Sequence, residues 1–406
     1  MTPPAAPADL PTRCDVLVVG AGPAGSACAQ LLAEGGLDVL LADQHAFPRD
    51  KVCGDGLIPD AHAALRRLGV FDEVMQHAQP VAHVGCVGPR GGRIDVPGAL
   101  AVLQRRVLDD IVCRSAQRAG VRLLPPARFE APLEHAGRVT GARLKVSGQP
   151  HEIEARWLVL ATGAAPQAML AAGLCERRAP SGIALRGYVH NPAMAGRITE
   201  LEVVWHQRLR PGYGWIFPLR DGLFNIGVGV LDARSSGAME ANLRQVFDTF
   251  CGFYAPAREL MAGGRLQGDL KGAPLRCTLT GARYSRPGLL ATGEAIGSTY
   301  SFTGEGIGKA LETGMLAAEA ILQGRSADDE AAVRAAYEAR VMALKPRFEL
   351  YERANKVNAH PWLADLLIWR AKKSARLLRR MSGVLNETAN PGHLVTVKGM
   401  VKLFTE

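Results

Sequence analysis

At 406 residues, with 48% hydrophobic and 21% charged residues, the chain has room for two or three domains and can bury an ordinary core, which excludes a chain disordered throughout. No apolar run reaches the roughly 18 residues of a membrane-spanning helix, and the opening MTPPAAPADLP lacks the basic and apolar parts of a secretory signal, so a flexible tail over 1–12 and a cytoplasmic location are expected. The net charge of +9 is uneven: residues 341–406 hold 12 Lys/Arg against 5 Asp/Glu, a basic C-terminal module rather than the uniformly basic surface of a nucleic-acid binder.

Cys14 to Gly20 reads as a short strand buried on both faces. GAGPAG follows (Gly20, Gly22, Pro23, Ala24, Gly25), then a helix over Ser26–Ala33 stopped by Gly35-Gly36, then a second buried strand over Leu37–Ala42 that ends at Asp43 and Gln44. This is a βαβ unit of roughly 30 residues. Its G-x-G-x-x-G has the context a dinucleotide needs. The first glycine makes the tight turn, the second admits a pyrophosphate, and the third lets helix and strand pack closely, while a carboxylate on the second strand can hold ribose hydroxyls. The helix N-terminus adds unpaired N–H groups and a favourable dipole.

Helical spacing recurs over Ile58–Leu68 and Val107–Ala119, and Trp157–Ala161 is a further buried strand. From about Ser181 to Leu231 the pattern changes to strands at Gly182–His190, Glu200–His206, Trp215–Leu219 and Phe224–Val230, separated by Gly/Pro turns, which predicts an antiparallel sheet. Gly288–Ala291 returns to a buried strand and Gly306–Leu322 to a helix. Beyond Asp328 the chain reads as helical. The eight cysteines form no C-x-x-C pair, so no metal site is expected and a reducing compartment is the simplest.

G-x-G-x-x-G near the start of a chain suits FAD as well as NAD, and a second site on the C-terminal side decides for FAD. The stretch LLATGEAIGSTYSFTGEGIGKALETG delivers Gly293-Glu294 at the end of a strand, then a glycine-dense loop with Gly304, Gly306 and Ile307 opening a helix. In a two-part flavin fold the acid would bind the ribityl chain, and the helix N-terminus would face the flavin pyrimidine edge, negative when reduced.

Four stretches together resemble the FAD-dependent oxidoreductases of the geranylgeranyl reductase group, within the wider para-hydroxybenzoate-hydroxylase-like fold. They are GAGPAG with Asp43, FPRDKVCGDGLIP (47–59), GYGWIFPL with FNIGVGV (212–230), and ATGEAIG through GEGIG. The likeness extends from about Cys14 to Leu322. It implies an α/β chain: a Rossmann-like FAD-binding domain in three parts (13–75, 101–165, 283–340), an antiparallel β-sheet substrate domain in two (76–100, 166–282), and a basic helical C-terminal region (341–406). Arg105, four residues before Asp109, matches the arginine that supports the FAD phosphates or ribose in that fold, and Arg49 and Gln44 join the cofactor-binding set. This chain has Gly-Glu where the family has Gly-Asp, and Ala161-Thr162-Gly163 where aromatic hydroxylases carry Asp-Gly.

The resemblance implies hydride delivery from reduced FAD to a double bond in an isoprenoid or other long apolar substrate, with NADPH or a small electron-transfer protein as reductant. Alternation places Tyr213, Trp215 and Phe217 on one strand face as a flat apolar wall, the same residues a sandwich core would use. Cys53 sits in a glycine-rich loop with Arg49 and Lys51 near it, where positive charge favours thiolate. It is a candidate flavin tuner or proton donor, with Asp55 as the alternative acid. The runner-up activity is a flavin monooxygenase or halogenase acting on an aromatic or carrier-bound substrate; a flavoprotein using FAD only structurally is a third. Finally, Pro361–Leu385 reads as one basic amphipathic helix carrying Lys372, Lys373, Arg376, Arg379 and Arg380. It suits either packing on the flavin domain or peripheral contact with the inner face of a membrane.

Overall fold

The computed structural model describes residues 10–176, 179–231, 242–324 and 329–389. Residues 1–9 of the expected tail and 390–406 of the expected basic region lie outside these.

Two eight-stranded sheets organise the described residues. The first is built on Arg13–Val19, whose interior carries almost nothing but buried Val and Leu. It pairs in parallel with Val39–Ala42 on one side and with Gln149–Leu160 on the other. Leu289–Ala291 extends the parallel set. Aliphatic strands with no polar face must be covered on both sides. Here the helices Pro23–Glu34 and Ile307–Gln323 pack on each other and form one layer, and a hairpin, Ala127–His135 with Arg138–Val146, hangs from the sheet. That hairpin was missed in the sequence: its first strand is mostly half-exposed and lacks alternation, while the second does alternate over 143–146.

The second sheet runs in the order Arg265–Leu275, Gly182–His190, Leu223–Leu231, Gly212–Pro218, Leu201–Val204, Gln79–Val87, Arg93–Val102 and Gly56–Leu57. It is antiparallel except for one parallel pairing, Leu201–Val204 with Gln79–Val87. Helix Leu243–Phe253 closes one face through Phe247 and Phe250.

The single helix expected over Pro361–Leu385 is two helices, Trp362–Ala371 and Ala375–Leu385. Ser374 restarts the helix: its extended backbone breaks the run, and its Oγ accepts a hydrogen bond from Leu377 N at 3.2 Å. Both helices lay apolar residues (Ile368, Ala371, Leu377) on Ile94 and Val96 of the second sheet. Lys372, Lys373, Arg376 and Arg379 are exposed. No described helix is long and apolar enough to cross a membrane.

Candidate active site

A cavity of about 1100 Å³ runs between the sheets. This is slightly above the ~300–1,000 Å³ usual for ligand pockets. At one end is the glycine turn. Gly20 has φ +102°, and a Cβ on Gly25 would stand 1.7 Å from the Gly20 carbonyl oxygen, so only glycine allows the helix to leave the strand so closely. Asp43 Oδ2 accepts a hydrogen bond from Ala21 N at 2.9 Å and so braces the turn from the neighbouring strand.

Two guanidiniums converge above Gly22. A Cβ there would lie 3.4 Å from Arg49 Nη2 and 3.9 Å from Arg105 Nη2. Fully buried Asp109 holds both: Arg105 donates from Nε at 2.7 Å and from Nη2 at 2.8 Å, and Arg49 Nη1 is 3.0 Å away. No side chain caps the helix that begins at Pro23. An uncapped helix N-terminus, two arginines and a carboxylate on the cavity wall fit the pyrophosphate and ribose of FAD.

Beyond the cradle the Cys53 loop meets the aromatic strand. Asn225 joins them: its Nδ2 donates to Cys53 O at 2.7 Å and Asp55 Oδ2 at 2.8 Å, and its Oδ1 accepts from Trp215 Nε1 at 2.9 Å. Trp215 lies flat against Gly227, where a Cβ would come within 2.3 Å of its Cζ2. Tyr213, Trp215 and Phe217 all line the cavity, with successive ring centroids 6.3 and 6.4 Å apart. Tyr213 donates its hydroxyl hydrogen to Thr303 O, tying the wall to the C-terminal glycine loop. In that loop Glu294 Oε1 accepts from Thr299 Oγ1 at 3.3 Å, and Lys51 Nζ is 3.9 Å from Oε2. Gly306 then opens the helix Ile307–Gln323 with no side-chain cap.

Of the catalytic and cofactor-binding candidates named from the sequence, all line this cavity except Gly25 and Gly293, which pack behind its wall; the basic residues of the C-terminal segment do not line it. Two chemical expectations are corrected. Burial pushes the Cys53 thiol up, outweighing the lowering by Arg105 and Lys51, so Cys53 is a thiol rather than the thiolate its basic neighbours suggested. Asp55 is no ready acid. It is fully buried, with Oδ1 accepting from Arg105 N at 3.2 Å and Oδ2 from Tyr188 Oη at 2.6 Å and Asn225. Burial pushes it up to about 6, against these hydrogen bonds. Its place is to hold the loop.

Sequence reasoning missed Asn225, Tyr188 and Glu305. Asn225 had a signal, a lone amide inside the apolar strand FNIGVGV, since a buried polar group must have partners. Also missed was the far wall: Ala364, Leu367, Ile368, Met381, Val384 and Leu385 of the two C-terminal helices line the cavity. Among the described residues, no group of three His, Cys, Asp or Glu is placed to hold a metal ion.

Residues 13–207 match the FAD binding domain family. The chain is 33% identical over 339 residues to the menaquinone reductase of Mycolicibacterium smegmatis, covering 78% of each chain. It is 30% identical over 323 residues to digeranylgeranylglycerophospholipid reductase 1 of Methanopyrus kandleri, covering 78% of this chain and 83% of that one. Among solved structures, a geranylgeranyl bacteriochlorophyll reductase-like protein from Thermoplasma acidophilum superposes with a TM-score of 0.73 at 22% identity, over 97% of this chain and 96% of that one. The flavin-dependent brominase Bmp2 superposes with a TM-score of 0.76 at 19% identity, over 97% and 98%. At such identities the structural likeness speaks for the fold alone.

Proposed function

This chain belongs to the geranylgeranyl reductase family of FAD-dependent oxidoreductases, and from that premise we propose that it saturates carbon–carbon double bonds in a long apolar substrate of the isoprenoid kind. The observation that carries the reading is the cavity. It is too large for the cofactor's ring alone, and beyond Trp215 its lining turns to Trp205, Phe302, Val357, Leu367, Met381 and Leu385, a wall suited to a hydrocarbon tail. The two relatives are named for a quinone and a glycerolipid, so a prenyl-bearing lipid is the substrate class.

When bound, reduced FAD supplies the hydride. The chain's own residues do the rest. Arg49 and Arg105 neutralise the phosphates, Asp43 with Gln44 takes the ribose, and Glu294 takes the ribityl hydroxyls. The N-terminus of Ile307–Gln323 favours negative charge on the pyrimidine edge. Tyr213, Trp215 and Phe217 position the alkene and exclude water. In this reading the first sheet belongs to the FAD-binding domain (13–75, 101–165, 283–340), and the second sheet, apart from Gly56–Leu57 and the end of Arg93–Val102, to the substrate domain (76–100, 166–282). NADPH or a small electron-transfer protein is the reductant.

The test is anaerobic incubation of the reduced holoprotein with a prenylated quinone, read by mass spectrometry. The expected product carries two added hydrogens per double bond and forms without oxygen. A product that appears only with O₂, or with O₂ and halide, would instead make the protein a monooxygenase or halogenase.

A lipid substrate brings the C-terminal helices into play. Trp362 and Trp369 are about half exposed, and Lys373 Nζ sits 4.6 Å over the Trp369 ring. The exposed lysines and arginines flank them on the outer side of the cavity wall. Amphipathic rings beside basic side chains suit the headgroup layer of an anionic bilayer. At about 1 kcal/mol per basic residue near the surface, replacing Lys372, Lys373, Arg376, Arg379 and Arg380 by Gln is expected to weaken binding to anionic vesicles at least ~100-fold while leaving the FAD spectrum unchanged. Equal vesicle binding by this variant would remove the membrane from the proposal.

A further inference from the structure

We infer that Glu305 is the acid that protonates the substrate in the cavity, resupplied from solvent through the ionisable cluster beneath the N-terminus of the helix Ile307–Gln323. The inference rests on the double-bond reduction proposed above and names its proton source.

Saturating a double bond requires more than hydride. The two electrons travel with the hydride to one carbon, and the neighbouring carbon must gain a proton. The candidates on the wall are few. The Cys53 thiol and the Tyr213 phenol are both pushed up by burial, and the Tyr213 hydroxyl hydrogen is engaged by Thr303 O. Asp55 has its oxygens taken by protein donors. Glu305 remains. It lines the cavity in the glycine loop between the aromatic wall and the helix N-terminus. Its backbone is anchored, with Tyr300 N donating to Glu305 O at 2.8 Å and Gly304 N to Tyr300 O at 2.9 Å.

Behind Glu305 lies a cluster gathered from four parts of the chain. Lys309 Nζ is 2.8 Å from Glu312 Oε2, 3.1 Å from Glu387 Oε2 and 3.6 Å from Asp60 Oδ2. Arg347 Nη1 pairs with Glu387 Oε2 at 2.7 Å, Tyr300 Oη donates to Glu387 Oε1 at 3.1 Å, and Tyr351 borders the cavity beside them. Three carboxyl groups (Asp60, Glu312 and Glu387) thus share two cations, Lys309 and Arg347, and Glu305 feels the charges of Asp60, Glu387 and Lys309. A poorly solvated group among surplus acids retains protons. Burial, then the charge of Asp60, pushes Glu305 up to about 8, while burial, opposed by Lys309, pushes Asp60 up to about 6. A carboxylic acid poised near the working pH is the efficient form of a general acid. Glu312, about one-third exposed, connects the cluster to solvent.

The step balances. The Glu305 O–H bond breaks as the C–H bond forms, the alkene gains the two electrons lost by the reduced flavin, and the Glu305 carboxylate regains a proton by way of Asp60, Lys309 and Glu312.

Two measurements test this on the full-length holoprotein. In infrared difference spectra against Glu305→Gln, the wild type is expected to show the carbonyl stretch of a protonated carboxylic acid, titrating with a midpoint near 8; its absence at neutral pH would overturn the assignment. In anaerobic single turnover, Glu305→Gln is expected to bind FAD normally and lose roughly 100-fold in rate, Glu305→Asp to recover part of it, and the wild type's alkaline fall near pH 8 to vanish in Glu305→Gln. A Glu305→Gln rate within threefold of wild type with an unchanged pH profile would also overturn it. A wild type that saturates no prenyl double bond would strike the proposed function instead, and the infrared titration would still decide whether Glu305 carries a proton.

Discussion

Arg105→Ala is expected to yield an apoprotein less stable by about 2–3 kcal/mol, since a buried carboxylate loses charged hydrogen bonds while keeping a second cation, and to weaken FAD binding roughly 30-fold, as loss of about 2 kcal/mol from a charged hydrogen bond requires. The two effects have different origins. Asp109 has no exposed surface and takes two hydrogen bonds from Arg105, so the truncation leaves its carboxylate with Arg49 alone. The affinity loss comes from Nη2, which donates to Asp109 and also stands over Gly22 with a second hydrogen to offer. Adding Asp109→Asn should therefore restore much of the stability and none of the affinity. Denaturant midpoints of the apoprotein and FAD titration by absorbance separate the two. Arg105→Ala that binds FAD within threefold of wild type would show that this arginine braces helix Arg105–Arg118 without touching the cofactor.

Asn225→Ala is expected to cost about 3 kcal/mol and most of the turnover. One amide satisfies the Trp215 indole N–H, the Cys53 carbonyl and the Asp55 carboxylate. Buried groups that lose a partner cost ~1–3 kcal/mol each, and the three share one network, so the sum is not additive. Asn225→Asp sharpens the prediction. It replaces two donated hydrogen bonds with a second carboxylate against Asp55, already raised to about 6 by burial. Repulsion raises the folded-state value further. A carboxyl group raised on folding contributes stability below its unfolded value, near 4, and loses it as pH climbs through the folded value. Asn225→Asp should therefore lie close to wild type at pH 4 and fall furthest behind above pH 6. Denaturation midpoints across that range check it; a deficit independent of pH would mean that Asp55 and residue 225 do not interact as described.

The cradle was legible in advance because its rules are local. A turn that needs positive φ, a helix leaving a strand at contact distance, and a carboxylate ending the next strand are all specified within about 30 residues. The aromatic wall was half legible: alternation named Tyr213, Trp215 and Phe217 without saying whether they faced a core or a cavity. Charge was the weakest guide. Lys51 and Arg49 near Cys53 in sequence suggested a thiolate, yet desolvation decides that thiol, and desolvation depends on what the rest of the chain lays over it.

By itself, then, the amino-acid order determined the nucleotide turn, the paired glycine loops and the aromatic strand, since backbone sterics and two-residue alternation operate between near neighbours. Only the tertiary structure decided which polar groups meet. Asn225 reaches Cys53 across 172 residues, and Tyr188 reaches Asp55 across 133. It also decided that the basic C-terminal segment breaks at Ser374 and closes the apolar end of the cavity. Burial, and with it protonation and hydrogen bonding inside the site, is a property of surfaces brought together by folding, and no stretch of a few residues carries it.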